Sequence, residues 1–284
     1  FVVRSRTMLG MDAPYIPGWD CHGLPIEWRV EEENRKKGIA KGEVDPIAFR
    51  QQCRDYATHW VDVQREQIKR LGVWGEWKNP YLTMDFASEA VIASELLKFA
   101  ETGQLYQGAK PVMWSPVEQT ALAEAEVEYE DVTSTEIDVA FEIVEAPNAP
   151  ELVGAYAVIW TTTPWTLPLD RGIAYGEDVE YRLYEADGRR LLLATALAEA
   201  FAKRSGLVLA PGAFVPGEGL AGVIARHPLH ALGGFFVEPR PLLAGDFVTT
   251  DSGTGLVHMA PDHGEDDFFL CKANGIDPVF VVGP

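Results

Sequence analysis

The spacing of apolar residues predicts a helical first part of the chain. From Asp45 to Leu71, apolar side chains recur at intervals of three and four residues, which predicts an amphipathic helix. Asp45 supplies its N-cap and Pro46 occupies its first turn. The same spacing predicts a helix over Phe86 to Glu101 that stops at Gly103, and a more polar helix over Pro25 to Lys37. The first hundred residues are therefore expected to be mainly helical.

After about residue 104 the pattern changes to short runs typical of strands, separated by Gly, Pro and Asp. The runs are VMW, IDVAFEIV, YAVIWTTT, VEYRLY and RLLLATAL. They predict a compact β-rich domain. Between the two parts, the acidic stretch ALAEAEVEYEDVTSTEID suits an extended connection better than a core element. We therefore place a domain boundary near Glu128, which gives domains 1–128 and 129–284.

Composition limits the classes of protein that fit. A chain of 284 residues that is 47% hydrophobic can bury two ordinary cores. A formal net charge of -19 argues against a protein held to nucleic acid by bulk charge, but it leaves open a nucleic-acid substrate bound in a local groove. The 3 cysteines form no CxxC pair, which predicts neither a disulfide framework nor a zinc site and fits the cytoplasm. No apolar run reaches the roughly 18 residues that span a bilayer.

The first of three unusual stretches is PGWDCHGLPIE, residues 17–27. It crowds Trp19, Asp20, His22 and Gly23 between Pro and Gly breakers, so it is too polar for a core strand and too bulky for a simple turn. It predicts a site. The alternative for Trp19 and His22 is local packing.

The second stretch is IWTTTPWTLP, residues 159–168. A strand that ends in Thr161, Thr162 and Thr163, followed by Trp165 and Thr166, directs hydroxyls and backbone amides to one place. Such a place could hold a sugar, a phosphate or an ester. The alternative is an ordinary strand end, since threonine is a good strand residue.

The third stretch is GTGLVHMAPDHGEDD, residues 253–267. It predicts a glycine turn, a short buried strand that contains His258, and a helix that begins near Glu265. Its histidines and acids could bind a metal ion, although no HxH or HExxH spacing is present. The acids could equally stabilise the start of the helix. An acid that faces a pocket, such as Asp267, could instead bind an ammonium group.

Together and in this order, the three stretches resemble isoleucyl-tRNA synthetases, a family of class I aminoacyl-tRNA synthetases. Leucyl enzymes typically show a GWDAFGLPAE-like stretch and valyl enzymes a PGTDHAG-like one, and both have TTRP where this chain has TTTP. The resemblance implies an α/β fold, a Rossmann-type catalytic domain interrupted by a β-rich editing insertion. Residues 1–128 then correspond to the first part of the catalytic domain. Residues 129–284 correspond to the insertion, which we expect to be truncated at its C-terminal end.

The resemblance implies a longer parent that charges tRNA(Ile) with isoleucine, using ATP with Mg²⁺. The family's HIGH and KMSKS signatures do not occur in this sequence, so we expect an internal fragment that cannot itself activate isoleucine. Some family members carry a zinc-binding CxxC pair after a KPVxW strand. Ser115 and Glu118 stand at those positions here, which predicts no zinc.

For the first stretch, the resemblance implies a pocket for the amino acid. Asp20 would receive the α-ammonium of isoleucine, since a partly dry site strengthens the attraction. Trp19, His22 and Gly23 would shape the surrounding loop.

For the other two stretches, the resemblance implies proofreading. One methylene distinguishes valine from isoleucine by only about 1–3 kcal/mol, a magnitude for which isoleucyl enzymes are the standard illustration, so a second pocket must hydrolyse the wrong ester. Thr161, Thr162, Thr163 and Thr166, with Trp165, would surround the terminal adenosine and the mischarged valine. His258 would limit side-chain size and Asp267 would anchor the substrate's ammonium. Water, held by hydroxyls and a ribose oxygen, would attack the ester carbonyl.

Two alternatives of other classes remain open on the sequence. A freestanding deacylase or tRNA-binding module would also lack HIGH, although it would have no use for the stretch around Asp20. A metal-dependent hydrolase could be built on His258 to Asp267, and it would lose activity with a chelator.

Overall fold

The computed structural model describes residues 1–281. The chain divides into two compact units, Phe1–Gly108 and Ala109–Pro284. This division lies earlier than the boundary predicted at Glu128, and the two-domain assignment stays a prediction. The last three residues of the predicted insertion, where we expected its truncated end, lie outside the described residues.

The first unit consists mainly of helices, as the apolar spacing predicted. Its helices are α1 (Val2–Met8), α2 (Leu24–Lys36), α3 (Pro46–Arg70) and α4 (Phe86–Glu101), and its strands are β1 (Gly18–Trp19) and β2 (Tyr81–Leu82). The two strands pair in parallel, with Gly18 opposite Tyr81 and Trp19 opposite Leu82. This pairing fixes the start of the PGWDCHG loop.

Helix α3 forms where the sequence predicted it because its start is well capped. The Asp45 carboxylate accepts hydrogen bonds from the backbone N–H groups of Ile47 at 3.0 Å and Ala48 at 3.1 Å. Its buried residues Ala57 and Val61 pack in a small core with Cys21 and Met84. This core holds α3 against the base of the loop.

Helix α4 has the predicted bounds but buries none of its residues within the described chain. Phe86 is 78% exposed and Leu97 62%, although both belong to the apolar face that the spacing identified. The pattern therefore predicted the helix correctly, while no described residue covers its apolar side.

The second unit is dominated by β-structure. Its strands are β3 (Trp114–Ser115), β4 (Thr120–Ala121), β5 (Ile137–Glu145), β6 (Tyr156–Thr161), β7 (Gly172–Tyr175), β8 (Glu180–Ala186), β9 (Arg189–Ala194), β10 (Ala210–Pro216), β11 (Ile224–Arg226), β12 (Pro239–Ala244) and β13 (Leu256–Met259). Its helices are α5 (Ala198–Ser205) and α6 (Glu265–Ala273). The predicted strands in residues 137–194 are thus confirmed, and of the VMW run only Trp114 is in a strand.

The main sheet has nine strands in the order β10-β8-β9-β6-β5-β11-β12-β7-β13 within the described residues. Strand β13 lies at one end of this order, yet it also packs against β6 in the middle. The sheet must therefore curl on itself. As a result, Thr166 in the turn that follows β6 lies beside His258 in β13, although the two residues are 92 positions apart in sequence.

Apolar side chains on one face of the sheet form the core of the second unit. Phe141 and Ile143 of β5, Ile173 of β7 and Leu192 of β9 are fully buried in one cluster. Alternation along the strands places these residues inside because successive side chains point to opposite faces. Within residues 1–281, no helix is both long and apolar enough to cross a membrane.

Candidate functional site

A cavity of about 320 Å³ in the second unit joins the two stretches that the sequence placed far apart. Its walls include Thr161, Thr162, Thr163, His258 and Asp267. These are five of the six residues predicted for the editing reaction. The curled sheet brings them together because β6 and β13 pack against each other.

The threonines at the end of β6 hold one another in place. The hydroxyl of Thr161 is buried, accepts a hydrogen bond from the backbone N–H of Thr163 at 3.0 Å and lies 3.1 Å from the Thr163 hydroxyl. Thr162 faces solvent, and its carbonyl accepts a hydrogen bond from the Ser134 hydroxyl at 2.6 Å. Paired hydroxyls have fixed positions, so they can present lone pairs and protons to a ligand in a defined geometry.

Thr166 lies behind the cavity instead of on its surface. It is buried, and it is not among the described residues that line the cavity. Its hydroxyl donates to the carbonyl of Thr163 at 2.9 Å and lies 3.1 Å from Nε2 of His258. Thr166 therefore links the threonine turn to His258 through its hydroxyl.

Asp267 lies in the first turn of α6 with its carboxylate turned back toward β13. Its Oδ2 accepts a hydrogen bond from the backbone N–H of Ala260 at 2.8 Å. Burial raises the pKa of Asp267, against the opposing influence of this hydrogen bond and of His258. A Cβ at Gly264 would lie 2.8 Å from the Asp267 Cγ, so a larger residue there would displace the carboxylate.

The glycine turn before β13 is held from behind by a buried tyrosine. Gly255 has φ +79°, and a Cβ there would lie 2.4 Å from the Cβ of Ala194. The hydroxyl of Tyr181 donates to the Gly255 carbonyl at 2.7 Å and accepts from the Gly176 N–H at 2.9 Å. These bonds fix the rim of the cavity formed by residues 253–255.

Trp165 occupies a different position from the threonines around it. Its side chain is 65% exposed and does not line the cavity in the described chain. Its ring instead meets the ring of His263 edge to face, with 5.5 Å between centroids. His263 does line the cavity, whereas the sequence suggested for it only a place in a possible metal-binding cluster.

Sequence reasoning also missed a buried carboxylate and a buried guanidinium at the back of the cavity. Asp170, which ends the 3-10 segment Pro164–Leu169, and Arg240 of β12 are both 0% exposed. Asp170 Oδ1 lies 3.3 Å from Nε of Arg240, and Asp170 Oδ2 lies 3.7 Å from Nδ1 of His258. Burial raises the pKa of Asp170 to about 6. The sequence signal was an acid at the end of the apolar run that follows the threonines.

In the first unit, the residues predicted to bind an amino acid are largely exposed. Asp20 is exposed, and its Oδ1 accepts from the backbone N–H of His22 and the hydroxyl of Thr83, both at a long 3.4 Å. Trp19 donates through Nε1 to the side-chain oxygen of Gln64 at 2.9 Å. Few contacts therefore fix the geometry of this carboxylate.

A separate cavity of about 590 Å³ lies beside this loop. His22 and Gly23 line it, whereas Asp20 and Trp19 are absent from its described walls. His22 Nε2 lies 3.2 Å from the Glu89 carboxylate. Gly23 has φ +111° at the start of α2, a conformation that L side chains rarely adopt. The structure thus brings two of the four predicted residues to one cavity.

Metal-binding clusters are not found in the described part of the chain. No group of three or more His, Cys, Asp or Glu residues in 1–281 is arranged to hold a metal ion. The metal-dependent hydrolase hypothesis therefore finds no ligand set there. At the positions of the zinc-binding pair in some synthetases, the side chains of Ser115 and Glu118 hydrogen-bond each other.

Comparison with known proteins gives the family. The family model described as "tRNA synthetases class I (I, L, M and V)" matches residues 1–268. The isoleucine–tRNA ligase of Zymomonas mobilis is 61% identical over 284 residues, covering 99% of this chain and 30% of the relative. That of Gluconobacter oxydans is 51% identical over 286 residues, covering 96% of this chain and 30% of the relative.

This chain therefore spans about a third of the length of these relatives. The crystal structure of GlLeuRS-CP1 matches with a TM-score of 0.43 and 18% identity over 50% of this chain and 63% of that one. The assignment does not depend on this weaker likeness. Because the family model covers nearly the whole sequence and the fold combines helices with a large sheet, the chain belongs to the class I tRNA synthetases.

Proposed function

We propose that this chain is part of an isoleucine–tRNA ligase, and that its second unit removes valine that has been attached to tRNA(Ile) by mistake. The sequence motifs and the identity to isoleucine–tRNA ligases support the first statement. The second depends on one observation. The threonines 161–163 at the end of β6, His258 and Asp267 line the same cavity.

Each wall of the cavity suits one part of an aminoacyl ester. The Asp267 carboxylate pairs with the α-ammonium of the amino acid, and the partly buried position strengthens that attraction. The ring of His258 faces the side chain and limits its size. The hydroxyls of the threonine turn bind the ester and the ribose of the terminal adenosine.

Hydrolysis in this cavity uses water as the nucleophile. Among the described residues, the hydrogen bonds of the Thr161 and Thr163 hydroxyls go to other threonines, and none goes to a side-chain base that could activate them. Water held by the hydroxyls and a ribose oxygen adds to the ester carbonyl. The bond between the carbonyl carbon and the ribose oxygen that carries valine then breaks, and a proton from the water passes to that oxygen, which releases valine and the free tRNA end. Asp267 orients the substrate through its charge and does not act as the base.

The whole protein would charge tRNA(Ile) with isoleucine in the cytoplasm. Asp20 would receive the ammonium of isoleucine, and Trp19, His22 and Gly23 would shape the loop around it. The family implies ATP with Mg²⁺. Neither ATP signature occurs in this sequence, so we assign no residue of this chain to a step through ATP.

The test is deacylation of Val-tRNA(Ile) beside Ile-tRNA(Ile) by this chain, after circular dichroism has confirmed its fold. We expect release of valine with retention of isoleucine. A folded chain that cleaves neither ester, or both at one rate, would refute the assignment of the cavity. A freestanding deacylase is distinguished by the gene upstream of Phe1, where a synthetase encodes HIGH.

A further inference from the structure

A buried group of charges lies behind the wall that His258 forms. Asp170 and Arg240 are 0% exposed and His258 is 7% exposed. The Asp170 carboxylate lies between the other two, at 3.3 Å from Arg240 Nε and 3.7 Å from His258 Nδ1. In residues 1–281 neither carboxylate oxygen has an aligned hydrogen bond. Removing these charges from water is costly in free energy, and their mutual attraction only partly offsets that cost.

We propose that Asp170 is a positioning residue for the hydrolytic cavity: it keeps a proton on Nδ1 of His258, holds the ring as a wall, and thereby sets which side chains the cavity admits. The proposal deepens the function proposed above and rests on it for the role of the cavity. The position of the proton on His258 can nevertheless be measured without any assay of hydrolysis.

Counting protons supports this role. If the Thr166 hydroxyl donates to the Thr163 carbonyl, Nε2 of His258 donates to Thr166, and a proton on Nδ1 as well makes the ring doubly protonated. If the hydroxyl donates to Nε2 instead, that nitrogen accepts, and the proton on Nδ1 is the only one on the ring. In both cases one proton must lie between Nδ1 and Asp170, since two facing acceptors would repel each other in a dry site. Burial raises the pKa of Asp170 only to about 6, so near neutral pH the acid is ionised and Nδ1 carries the proton.

Arg240 fixes the carboxylate in its position. Two of its nitrogens donate to backbone carbonyls, those of Glu238 at 2.6 Å and Phe235 at 3.0 Å. Its third nitrogen, Nε, is left to face Asp170. Because the guanidinium is anchored by backbone atoms, the negative charge of Asp170 is held in place behind the histidine.

Asp170 is the acid that faces Nδ1. Among the described residues, Arg240, His227 and Asp267 also lie near the pair formed by Asp170 and His258. His227 is 3.1 Å from the Leu167 carbonyl through Nε2 and accepts from the Leu229 N–H through Nδ1 at 3.0 Å. Asp267 directs Oδ2 to the Ala260 N–H. Because His227 and Asp267 are engaged by these backbone groups, Asp170 is the group that sets the protonation of His258 at Nδ1.

The arrangement also assigns a role to His258. Both of its ring nitrogens face protein groups behind the cavity, so neither is placed to take a proton from water. The ring presents carbon atoms to the ligand and acts by shape. Isoleucine differs from valine by one methylene, and a pocket distinguishes two such side chains by only about 10- to 200-fold. The ring that excludes isoleucine must therefore be held rigidly, because a small movement would remove this discrimination.

The first experiment locates the protons on His258 by ¹⁵N NMR of the full chain at pH 7.5, with the signals assigned from the spectrum of His258→Gln. We expect Nδ1 to be protonated. A ring that carries its only proton on Nε2 would overturn the proposal. This measurement uses the unaltered chain, so it does not depend on the folding of an Asp170 variant.

The second experiment compares Asp170→Leu with the conservative Asp170→Asn. The leucine has no acceptor, so we expect the Nδ1 proton to be lost and the ratio of valyl to isoleucyl ester hydrolysis to fall about tenfold. The asparagine can accept the Nδ1 proton, so we expect it to keep most of the ratio. The matched control is Asp262→Leu, which removes the acid 3.2 Å from His263 and leaves the His258 signals unchanged.

The outcomes separate the two proposals. If Nδ1 is protonated but the unaltered chain cleaves neither ester, the function proposed for the cavity is wrong and the effect of Asp170 on the ring stands. If the chain discriminates between the esters and folded Asp170→Leu changes neither the Nδ1 signal nor the ratio, the positioning role is wrong and the function stands.

Discussion

The two candidate sites in this chain differ in how their side chains are held. Around the cavity of the second unit, Thr161, Thr166 and His258 are buried and hydrogen-bonded to one another or to the backbone. In the first unit, Asp20 and His22 are exposed and make a few long or solvent-facing contacts. Burial forces polar groups to find partners, so it fixes their geometry, whereas water satisfies exposed groups in many positions.

The same difference separates the two proposed functions. For the second unit, distances and burial support roles for individual atoms. For the first unit, the role of Asp20 rests on the resemblance of its loop to isoleucyl-tRNA synthetases, with little added by its geometry. Substitutions in both units test this difference between the sites.

The largest effect is expected from Asp267→Ala. We expect a loss of about 100-fold in deacylation of Val-tRNA(Ile), because the substrate loses the charge that orients it. The measurement is the single-turnover rate of valine release. Asp266→Ala is the control, since it removes an exposed acid from the same helical turn. Equal rates of valine release for the two variants would show that the Asp267 carboxylate does not orient the substrate.

The second prediction concerns the dependence of stability on pH. Asp170 has a folded-state pKa of about 6, raised from 3.8, so the folded chain keeps a proton that the unfolded chain has already lost. Its contribution is therefore present below the unfolded pKa and is lost as pH rises toward 6. Relative to Asp170→Asn, the unaltered chain should lose on the order of 2 kcal/mol of unfolding free energy across this range.

Urea unfolding of both proteins at about pH 4 and pH 6.5 measures this difference. Parallel pH profiles for the two proteins would mean that the carboxylate titrates as it does in water, and the buried site would then resemble the exposed loop.

The third prediction removes one hydroxyl from the support of the cavity. Tyr181→Phe leaves the Gly255 carbonyl and the Gly176 N–H without their partner, which should cost about 1–2 kcal/mol in the free energy of unfolding. Tyr184→Phe is the matched control, because its hydroxyl makes no hydrogen bond to a described residue. Similar losses in both variants would argue that the tyrosine acts only through packing.

A smaller effect is expected in the first unit from Asp45→Ala. The substitution removes the cap of α3 and should cost about 1 kcal/mol in the stability of that unit. Asp55 is an exposed acid within the same helix, and Asp55→Ala should lower the stability of the unit by only a few tenths of a kcal/mol. Thermal unfolding followed by circular dichroism tests both, and an equal cost would show that the cap adds nothing specific.

The smallest effect is expected from His22→Ala. His22 is exposed and its contact with Glu89 lies at the surface, so the midpoint of unfolding should not change measurably. A clear drop in the midpoint would mean that the loop is held as tightly as the buried cavity, and the contrast between the two sites would disappear.

Much of this molecule was determined by the sequence alone. Local signals placed α3 from its Asp-Pro start, α4 from its apolar spacing, and the strands of residues 137–194 from their runs of β-branched and aliphatic residues. The three motifs also identified the family. These features depend on neighbours along the chain, and local order can therefore be read from local sequence.

Only the tertiary structure decided how the candidate site is assembled. The curling of the sheet brings Thr161 to His258, places Thr166 behind the cavity, and leaves Trp165 exposed beside His263. It also buries Asp170 against Arg240, a residue 70 positions later for which no spacing rule exists. Such contacts join strands that are distant in sequence. They follow from the packing of the whole sheet, which no local pattern encodes.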